Sequence, residues 1–313
     1  MSFAGMMLIA LAIDAAFGWP QALFVRIGHP VTWVGRLIDS LDRTLNRDGD
    51  QMGRRRMAGI TTVGIVLACT AAPALLIQAG LPDGWAGTLL GGFLAWPLIA
   101  ARSMYTHVAD VAAPLGRGDL PEARRAVSMI VGRATERLAP HEVSRAALES
   151  LAENTSDGIV APVFWGAIAG LPGIVAYKAI NTMDSVIGHR TPRHEAFGWV
   201  AARLDDVINL VPARLTGVLF ALASGRPVAS LRVMWRDARH HRSPNAGWPE
   251  AAMAAALGVR LSGPRVYGDR IADEPWLNAG APDPGTDALW HGLALYLRAL
   301  LLMALVLALI VIL

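Results

Sequence analysis

The chain is nearly devoid of lysine and cysteine. Among its 313 residues, Lys178 is the single lysine beside 27 arginines, and Cys69 is the single cysteine. One cysteine excludes both an intrachain disulfide framework and a cysteine metal cluster, and it leaves the redox compartment undetermined. Abundant Arg, Ala and Gly suggest a GC-rich coding bias that turns lysines into arginines. Lys178 is the one lysine that remains despite this bias.

Charge is also scarce. Only 17% of the residues are charged and 54% are hydrophobic, with a mean hydropathy of +0.40. Because about a quarter of the residues of a soluble domain are charged, this composition favours a membrane protein. The net charge of +3 arises from arginines spread over several loops instead of one basic stripe, so nucleic acid is not expected as a partner.

Common nucleotide and zinc motifs are missing. The sequence contains neither G-x-x-x-x-G-K-[ST] nor a G-x-G-x-x-G that follows a strand, and it contains no H-E-x-x-H. A P-loop, a Rossmann site and a zincin-type zinc site are therefore not supported. Any ATP would have to be bound in another way.

Long apolar segments predict an all-α, polytopic membrane protein with about five or six hydrophobic segments. A spanning helix needs roughly 20 mainly apolar residues, and the predicted full spans are 3–24, 57–79, 85–101 and 289–313. Segment 158–177 is apolar but interrupted by proline and glycine, whose freed backbone groups hydrocarbon cannot satisfy. We expect it to be broken or re-entrant. Segment 204–223 starts with two aspartates, so its first half should face protein or water.

The arginine distribution predicts the topology. Loops at about 26–56 and 102–157 hold seven arginines each, and the stretch 225–288 holds eight, so all three are predicted to be cytoplasmic. If 158–177 crossed completely, the polar stretch 178–203 would lie outside. A re-entrant segment with a cytoplasm-facing cavity resolves this conflict. We expect a single membrane-embedded enzyme domain, 1–313, in the lipid bilayer of the cell membrane.

Three acids recur at a helical spacing. Glu149, Glu153 and Asp157 lie four residues apart, at the end of a helix predicted from Pro140 to Asn154. With the amide of Asn154, their carboxylates are the oxygen ligands that Mg²⁺ prefers. The alternative interpretation is a solvated helix end that turns at Asp157.

A second polar group follows the broken segment. Helical spacing places Lys178, Asn181 and Ser185 on one face, with Asp184 beside them. Polar groups in such a setting are expensive and usually functional. Lysine offers a compact charge for a phosphate, although it can also extend to the membrane interface.

The aspartates that open segment 204–223 have two interpretations. Asp205 and Asp206 can be helix N-terminal charges favoured by the helix dipole. Their position near the second polar group favours a functional site instead.

Three long motifs resemble the adenosylcobinamide-phosphate synthases of cobalamin biosynthesis. They are residues 149–158 (ESLAENTSDG), 177–188 (YKAINTMDSVIG) and 204–215 (LDDVINLVPARL). Further matches are Asp14, His29-Pro30, Gly35-Arg36 and residues 243–250 (SPNAGWPE). Departures from the family pattern are His189, where an aromatic residue is expected, and the glycine-poor stretch Tyr267-Gly268-Asp269.

The resemblance implies an integral membrane enzyme that amidates a propionate of adenosylcobyric acid with aminopropanol or its phosphate, using ATP and Mg²⁺. Under this reaction the predicted catalytic residues are Lys178, Glu153, Asp184 and Asp206. The predicted metal ligands are Glu149, Glu153, Asp157, Asp184 and Asp205. The predicted cofactor-binding residues are Asn154, Asn181, Ser185, His29 and Arg214. Expected partners are the corrinoid and amine substrates, and either a second copy or other enzymes of the pathway.

Two rival functions stay open at this point. An intramembrane Mg²⁺-dependent prenyl or phospho-transferase would carry two similar Asp-rich motifs on helical repeats. A secondary transporter also uses Gly/Pro-broken segments with intramembrane charges, and usually has paired repeats. No fixed-period repeat is evident in the chain.

Overall fold

The computed structural model describes residues 1–132, 134–267, 270–272 and 274–313, with the backbone alone for 265–267 and 270–272. Gly268 and Asp269, which belong to the glycine-poor stretch that departs from the family pattern, lie outside the described residues.

Helices dominate the fold. The α-helices are α1 (Phe3–Phe17), α2 (Gln21–Ile27), α3 (Pro30–Leu45), α4 (Met52–Ala79), α5 (Gly84–Ala95), α6 (Ala101–Gly116), α7 (Leu120–Ser128), α8 (Pro140–Thr155), α9 (Ala161–Ile187), α10 (Trp199–Ile208), α11 (Leu210–Ala223), α12 (Pro227–Asp237), α13 (Gly247–Leu257) and α14 (Asp287–Ile312). One π-helical turn, Ser156–Val160, joins α8 to α9, and short 3-10 turns lie at Trp96–Leu98 and Ala238–His240.

The strands are short: β1 (Leu261–Ser262), β2 (Arg265–Tyr267), β3 (Arg270–Ala272) and β4 (Trp276–Leu277). β1 pairs antiparallel with β4, and β2 with β3.

The all-α, polytopic membrane class is confirmed. Within the described residues, four helical runs are long and apolar enough to cross a membrane, namely Met52–Ala79, Gly84–Gly116, Pro140–Ile187 and Asp287–Ile312. Two bent helix pairs raise this number to six if each pair counts as one span. The predicted spans 57–79 and 85–101 fall within two of these runs, and 289–313 exceeds the run Asp287–Ile312 by one residue. The cytoplasmic placement of the loops stays a prediction.

The first span is shorter than predicted. α1 ends at Phe17 instead of continuing to residue 24, because Gly18 adopts a positive φ of 58° and Pro20 follows it. The run Gln21–Leu45 then turns away from α1 by 104°. A helix of 15 residues covers about 22 Å at 1.5 Å per residue, which is less than the roughly 30 Å of hydrocarbon.

The predicted break in segment 158–177 is confirmed, and it is localised to Gly170. This residue has φ 67° and ψ −144° inside α9, a conformation that glycine adopts without strain. The side-chain oxygen of Gln78 accepts a hydrogen bond from the backbone N–H of Leu171 at 2.7 Å. Pro172 lies in the first turn after the break, where no intrahelical N–H is needed. Re-entrance of this segment stays a prediction.

The chain divides into two compact units. Unit 1 comprises residues 1–100, 161–209 and 307–313, and unit 2 comprises 101–160 and 210–306. The interpretation of 1–313 as a single enzyme domain stays a prediction.

In unit 1, α9 packs against α1, α3, α4 and α10. Its buried cluster includes Ile38, Val63, Val66, Ile180, Met183 and Phe197. α4 also lies directly on the loop before α10, since a Cβ at Gly59 would collide with the carbonyl oxygen of Phe197. This packing fixes α9 and α10 beside each other.

Unit 2 contains more helix than the sequence analysis predicts, since the segments 102–157 and 225–288 were expected to be loops. The stretch 225–288 contains α12 and α13, and α13 is buried over Gly247–Ala255. Pro227 opens α12 and Pro249 lies in the first turn of α13, where Pro is favoured, and an alanine-rich run with high helix propensity follows in α13. Likewise, 102–157 is largely helical in α6, α7 and α8.

Candidate functional site

The second half of α9 carries the lysine and one amide of the predicted site. The Nζ atom of Lys178 lies 3.4 Å from the Oδ1 atom of Asn181, one turn further along the helix. The Nδ2 atom of Asn181 in turn faces the Oδ1 atom of Asp205 on α10 at 3.4 Å. Three predicted site residues from two motifs thus form one polar chain.

Two residues that the sequence analysis does not single out complete this chain. The Nδ2 atom of Asn209 donates to the other oxygen of Asp205 at 2.9 Å. The hydroxyl of Tyr177 donates to Oδ1 of Asn209 at 3.0 Å. Tyr177 is 2% exposed, Asn209 1% and Asp205 8%. Because the tyrosine hydroxyl engages the amide oxygen, it orients the amide nitrogen toward Asp205.

Sequence signals for both residues exist, although they are weak. Asn209 lies four residues after Asp205, the spacing at which an amide and a carboxylate meet on a helix. Tyr177 directly precedes the lysine and counts as an apolar residue at the end of an apolar segment. Only the tertiary pairing of α9 with α10 reveals its role.

The other predicted acids of unit 1, Asp184 and Asp206, lie within electrostatic reach of Asp205. Asp184 and Asp206 repel each other electrostatically, and both repel Asp205. Asp206 also forms an ion pair of 3.0 Å with Arg203, one turn before it. These two neighbouring aspartates therefore differ in environment, since Asp205 is buried and held by amides.

The other predicted site residues of unit 1 are His29 and Ser185. His29 is the N-cap of α3, where its Nδ1 atom accepts from the backbone N–H of Val31 at 3.2 Å. His29 lies within electrostatic reach of Lys178. Ser185 is exposed, and its hydroxyl donates to the backbone carbonyl of Asn181 at 2.9 Å. The structure therefore places His29 near the lysine, whereas Ser185 is exposed about two turns further along α9.

The predicted acids of the first motif lie in unit 2. Glu149 is 6% exposed, and its Oε1 atom accepts from the backbone N–H of Ser262 at 2.7 Å. Glu153 and Asn154 are exposed at the end of α8, and Asp157 lies in the π-helical turn. The π turn is a feature frequently found at functional sites. One oxygen of Glu149 thus stabilises the fold through its hydrogen bond with Ser262. The metal-ligand roles of Glu149, Glu153 and Asp157 stay predictions.

Arg214, the last predicted site residue, also belongs to unit 2. Its guanidinium lies 4.2 Å from the ring centroid of Trp248, and its Nη1 atom donates to the backbone carbonyl of Leu210 at 2.6 Å. Trp248 is 4% exposed and stacks edge-on against Trp235 at 4.9 Å. Arg214 thus makes intramolecular contacts that stabilise α11 against α13, and its contact with a nucleotide stays a prediction.

The donor set agrees with Mg²⁺ only in part. Among the described residues, no group of three or more His, Cys, Asp or Glu has a geometry that could hold a metal ion. Mg²⁺ usually binds one or two protein carboxylates and completes its shell with water and substrate phosphates. Asp184, Asp205 and Asp206 lie within electrostatic reach of one another, which is compatible with that mode and not with an all-protein cage, and the Mg²⁺ ligands stay a prediction.

Comparison with known proteins identifies the family. A family model described as CobD/Cbib protein matches residues 7–296. The chain belongs to the CobD/Cbib family. This membership confirms the family resemblance inferred from the three motifs, all of which lie inside the matched range.

Relatives in this family match over most of their length. A Rhodobacter capsulatus protein named cobalamin biosynthesis protein CobD is 61% identical over 313 residues, covering 100% of this chain and 99% of the relative. Proteins of the same name from Brucella suis biovar 1 and Rhizobium meliloti are 50% and 47% identical, each covering 87% of this chain and 85% of the relative. No solved structure matches the chain.

Proposed function

We propose that this chain is a biosynthetic enzyme of the cobalamin pathway that amidates adenosylcobyric acid with (R)-1-amino-2-propanol or its O-phosphate, driven by ATP. The names of its CobD relatives support the pathway. The observation that carries the chemistry is the polar chain from Lys178 to Asp205, set in helices that are otherwise largely apolar.

The reaction needs an activated carboxylate. A propionate oxygen attacks the terminal phosphorus of ATP, and ADP leaves, which gives an acyl phosphate. The amine nitrogen then attacks the acyl carbon, phosphate leaves, and the nitrogen loses a proton. Negative charge develops on the transferring phosphoryl group and on the tetrahedral oxygen, and fixed positive charge at these positions accelerates both steps.

Lys178 supplies this positive charge in unit 1. Its ammonium is a compact point charge on a flexible stem, which suits a phosphoryl group that changes position during transfer. Asn181 faces both Lys178 and Asp205, so it fixes the distance between the cation and the carboxylate. Asp184 and Asp206 provide carboxylates that attract the substrate ammonium and accept the proton it loses.

ATP and Mg²⁺ are part of this proposal. Mg²⁺, when bound, neutralises phosphate charge. Asp184 and Asp205 would contribute its carboxylate ligands in unit 1, and Ser185 with His29 would contact the substrates. Glu149, Glu153, Asn154, Asp157 and Arg214 stay predicted participants from unit 2. We propose further that the site faces the cytoplasm, where ATP is present.

Replacement of Lys178 tests the proposal. K178A should lower amide formation by at least about 100-fold, the cost of losing one charge-stabilising group, while the protein remains folded in the membrane. The matched control is R190A, which removes an exposed cation two residues after the same motif. Near-normal turnover of K178A would refute the role of the lysine.

Product analysis tests the reaction itself. Purified protein is incubated with adenosylcobyric acid, ATP, Mg²⁺ and either form of aminopropanol, and the corrinoid product is measured by mass spectrometry. We expect a mass increase equal to one amine minus water, together with ATP hydrolysis that depends on both substrates. ATP consumption without amide would contradict the proposed function, and the absence of substrate-dependent ATP hydrolysis would favour a secondary transporter.

A further inference from the structure

Three consecutive arginines, Arg54, Arg55 and Arg56, lie at the start of α4, directly before the apolar part of a helix that is long enough to cross a membrane. Arg54 forms an ion pair of 3.2 Å with Asp50. Arg55 donates to Oδ1 of Asn46 at 2.8 Å and to two backbone carbonyls of the loop before α10. Two of the three guanidinium groups are therefore engaged in polar contacts within unit 1.

Arg56 lies in a different environment. Its guanidinium carbon is 5.5 Å from the ring centroid of Trp199, the first residue of α10. In the described part of the chain, no carboxylate pairs with Arg56. A guanidinium contacts an aromatic ring through its flat face, whereas its N–H donors point outward in its plane. The contact with Trp199 therefore leaves these donors for an anion, and a phosphate accepts from them in a bidentate geometry.

The surface around Arg56 is apolar and exposed. Met57 and Ile60 on α4 are 60% and 46% exposed, and Trp199 is 46% exposed. Ile60 lies one turn after Arg56 on the same side of the helix, within the run that can cross a membrane. Tryptophan is enriched where the hydrocarbon of a bilayer meets its headgroups. Arg56 and Trp199 thus lie at the level of the headgroups, beside an apolar face that acyl chains can cover.

We propose that Arg56 and Trp199 form a binding site for an anionic phospholipid, whose phosphate accepts from the guanidinium of Arg56 and whose acyl chain lies against Met57 and Ile60. Anionic lipids attract basic residues that directly precede a membrane-spanning helix. A soluble acidic partner would leave the apolar face of α4 uncovered, and a zwitterionic lipid carries an ammonium that weakens its attraction to a cation. The inference goes beyond the proposed amidation and does not depend on it.

A lipid at this site contacts two helices at once, since Arg56 belongs to α4 and Trp199 to α10. These helices already pack closely, because a Cβ at Gly59 would collide with the carbonyl oxygen of Phe197. A ligand that binds only the folded state stabilises it. Anionic phospholipid should therefore raise the melting temperature of the protein.

Native mass spectrometry of the full chain in detergent measures the affinity for dioleoyl phosphatidylglycerol and for dioleoyl phosphatidylcholine. The anionic lipid should bind more tightly. R56Q should weaken its binding about fivefold, the contribution of one basic residue near an anionic lipid surface, and should leave the binding of phosphatidylcholine unchanged. The matched control is R54Q, which removes the same charge two residues earlier from an arginine that pairs with Asp50. R54Q should retain the wild-type affinity.

Three results would overturn the proposal. Equal weakening in R54Q and R56Q would show a diffuse effect of positive charge instead of a site at Arg56. Equal affinities of the wild type for the two lipids, or an unchanged affinity of R56Q for phosphatidylglycerol, would exclude an anionic lipid at this position. Displacement of phosphatidylglycerol by glycerol 3-phosphate would show a site for free phosphate, since that probe has no acyl chain.

A second variant tests the aromatic side of the site without removing the charge. W199L should weaken the binding of phosphatidylglycerol about two- to fivefold, the size of an exposed cation–π contact. The matched control is W85L, which replaces an exposed tryptophan of α5 and should retain the wild-type affinity. Phosphatidylglycerol should also raise the melting temperature of R54Q more than that of R56Q. Wild-type affinity in folded W199L would contradict the assigned position.

Discussion

Two hydrogen bonds link Tyr177 to Asn209 and Asn209 to Asp205, and from them we predict the effect of removing the tyrosine hydroxyl. Y177F removes the hydroxyl that donates to Oδ1 of Asn209 at 3.0 Å, in a place where both residues are almost fully buried. A buried acceptor that loses its donor costs about 1–3 kcal/mol. The amide of Asn209 is then free to rotate and to present its oxygen to Asp205, which would repel the carboxylate.

If this cost falls on the transition state, turnover decreases by about 5- to 150-fold, since each 1.36 kcal/mol is a factor of ten. The assay is the rate of amide formation at saturating substrates, with the melting temperature measured in the same detergent. The matched control is Y296F. Tyr296 is equally buried and its hydroxyl donates to the carbonyl of Ala101 at 2.7 Å in unit 2. Y296F should lose comparable stability and retain turnover.

A double-mutant cycle tests the order of the chain. N209L removes the donor to Asp205 directly, so adding Y177F to N209L should cost little more, because both changes act on one interaction. Full additivity of the two effects would show that Tyr177 does not act through Asn209. Equal losses of turnover in Y177F and Y296F would show that the effect is a general loss of stability.

Two further predictions concern the fold. G170A should lower the melting temperature, since φ 67° with ψ −144° is a conformation that is found almost only in glycine and costs another residue about 1–3 kcal/mol, and the new Cβ would collide with the side chain of Gln78. G64A, in open space on α4, should not lower it, and equal melting temperatures of G170A and wild type would contradict the break. In unit 2, the hydrogen bonds from Arg260 lower the pKa of Asp283 below its ordinary value, although partial burial opposes this. The ionised carboxylate therefore stabilises the fold above the ordinary pKa of Asp283, and this contribution is lost as pH falls through the lowered pKa. The stability difference between wild type and D283N, measured by thermal unfolding from pH 7 to pH 3, should shrink on acidification. A stability difference that does not depend on pH would refute this prediction.

Sequence patterns predict the apolar spans well, because hydrophobic length alone decides whether a helix can cross a bilayer. They predict the bend after α1 poorly. Asp14 and the apolar residues after it read as one continuous span, whereas Gly18 and Pro20 end the helix before it is long enough. Local backbone chemistry therefore overrides hydropathy at that position.

The polar chain of the candidate site could be predicted only in part. Helical spacing places Lys178 and Asn181 on one face, and the structure confirms that they meet. Spacing cannot show which helix faces them, so the pairing with Asp205 depends on the packing of α9 against α10. Tyr177 is missed for the same reason, since its hydroxyl acquires a role only when Asn209 is brought to it.

The break at Gly170 and the position of Lys178 are linked through helix geometry. Eight residues separate them, which is about 12 Å and a little more than two turns. Each residue turns the helix by about 100°, so the register between the break and the lysine decides which face Lys178 and Asn181 present. α10 contacts that face through Asp205. Gln78 holds the start of this second half by accepting from Leu171, and it therefore fixes the register as well as satisfying a backbone group that hydrocarbon cannot.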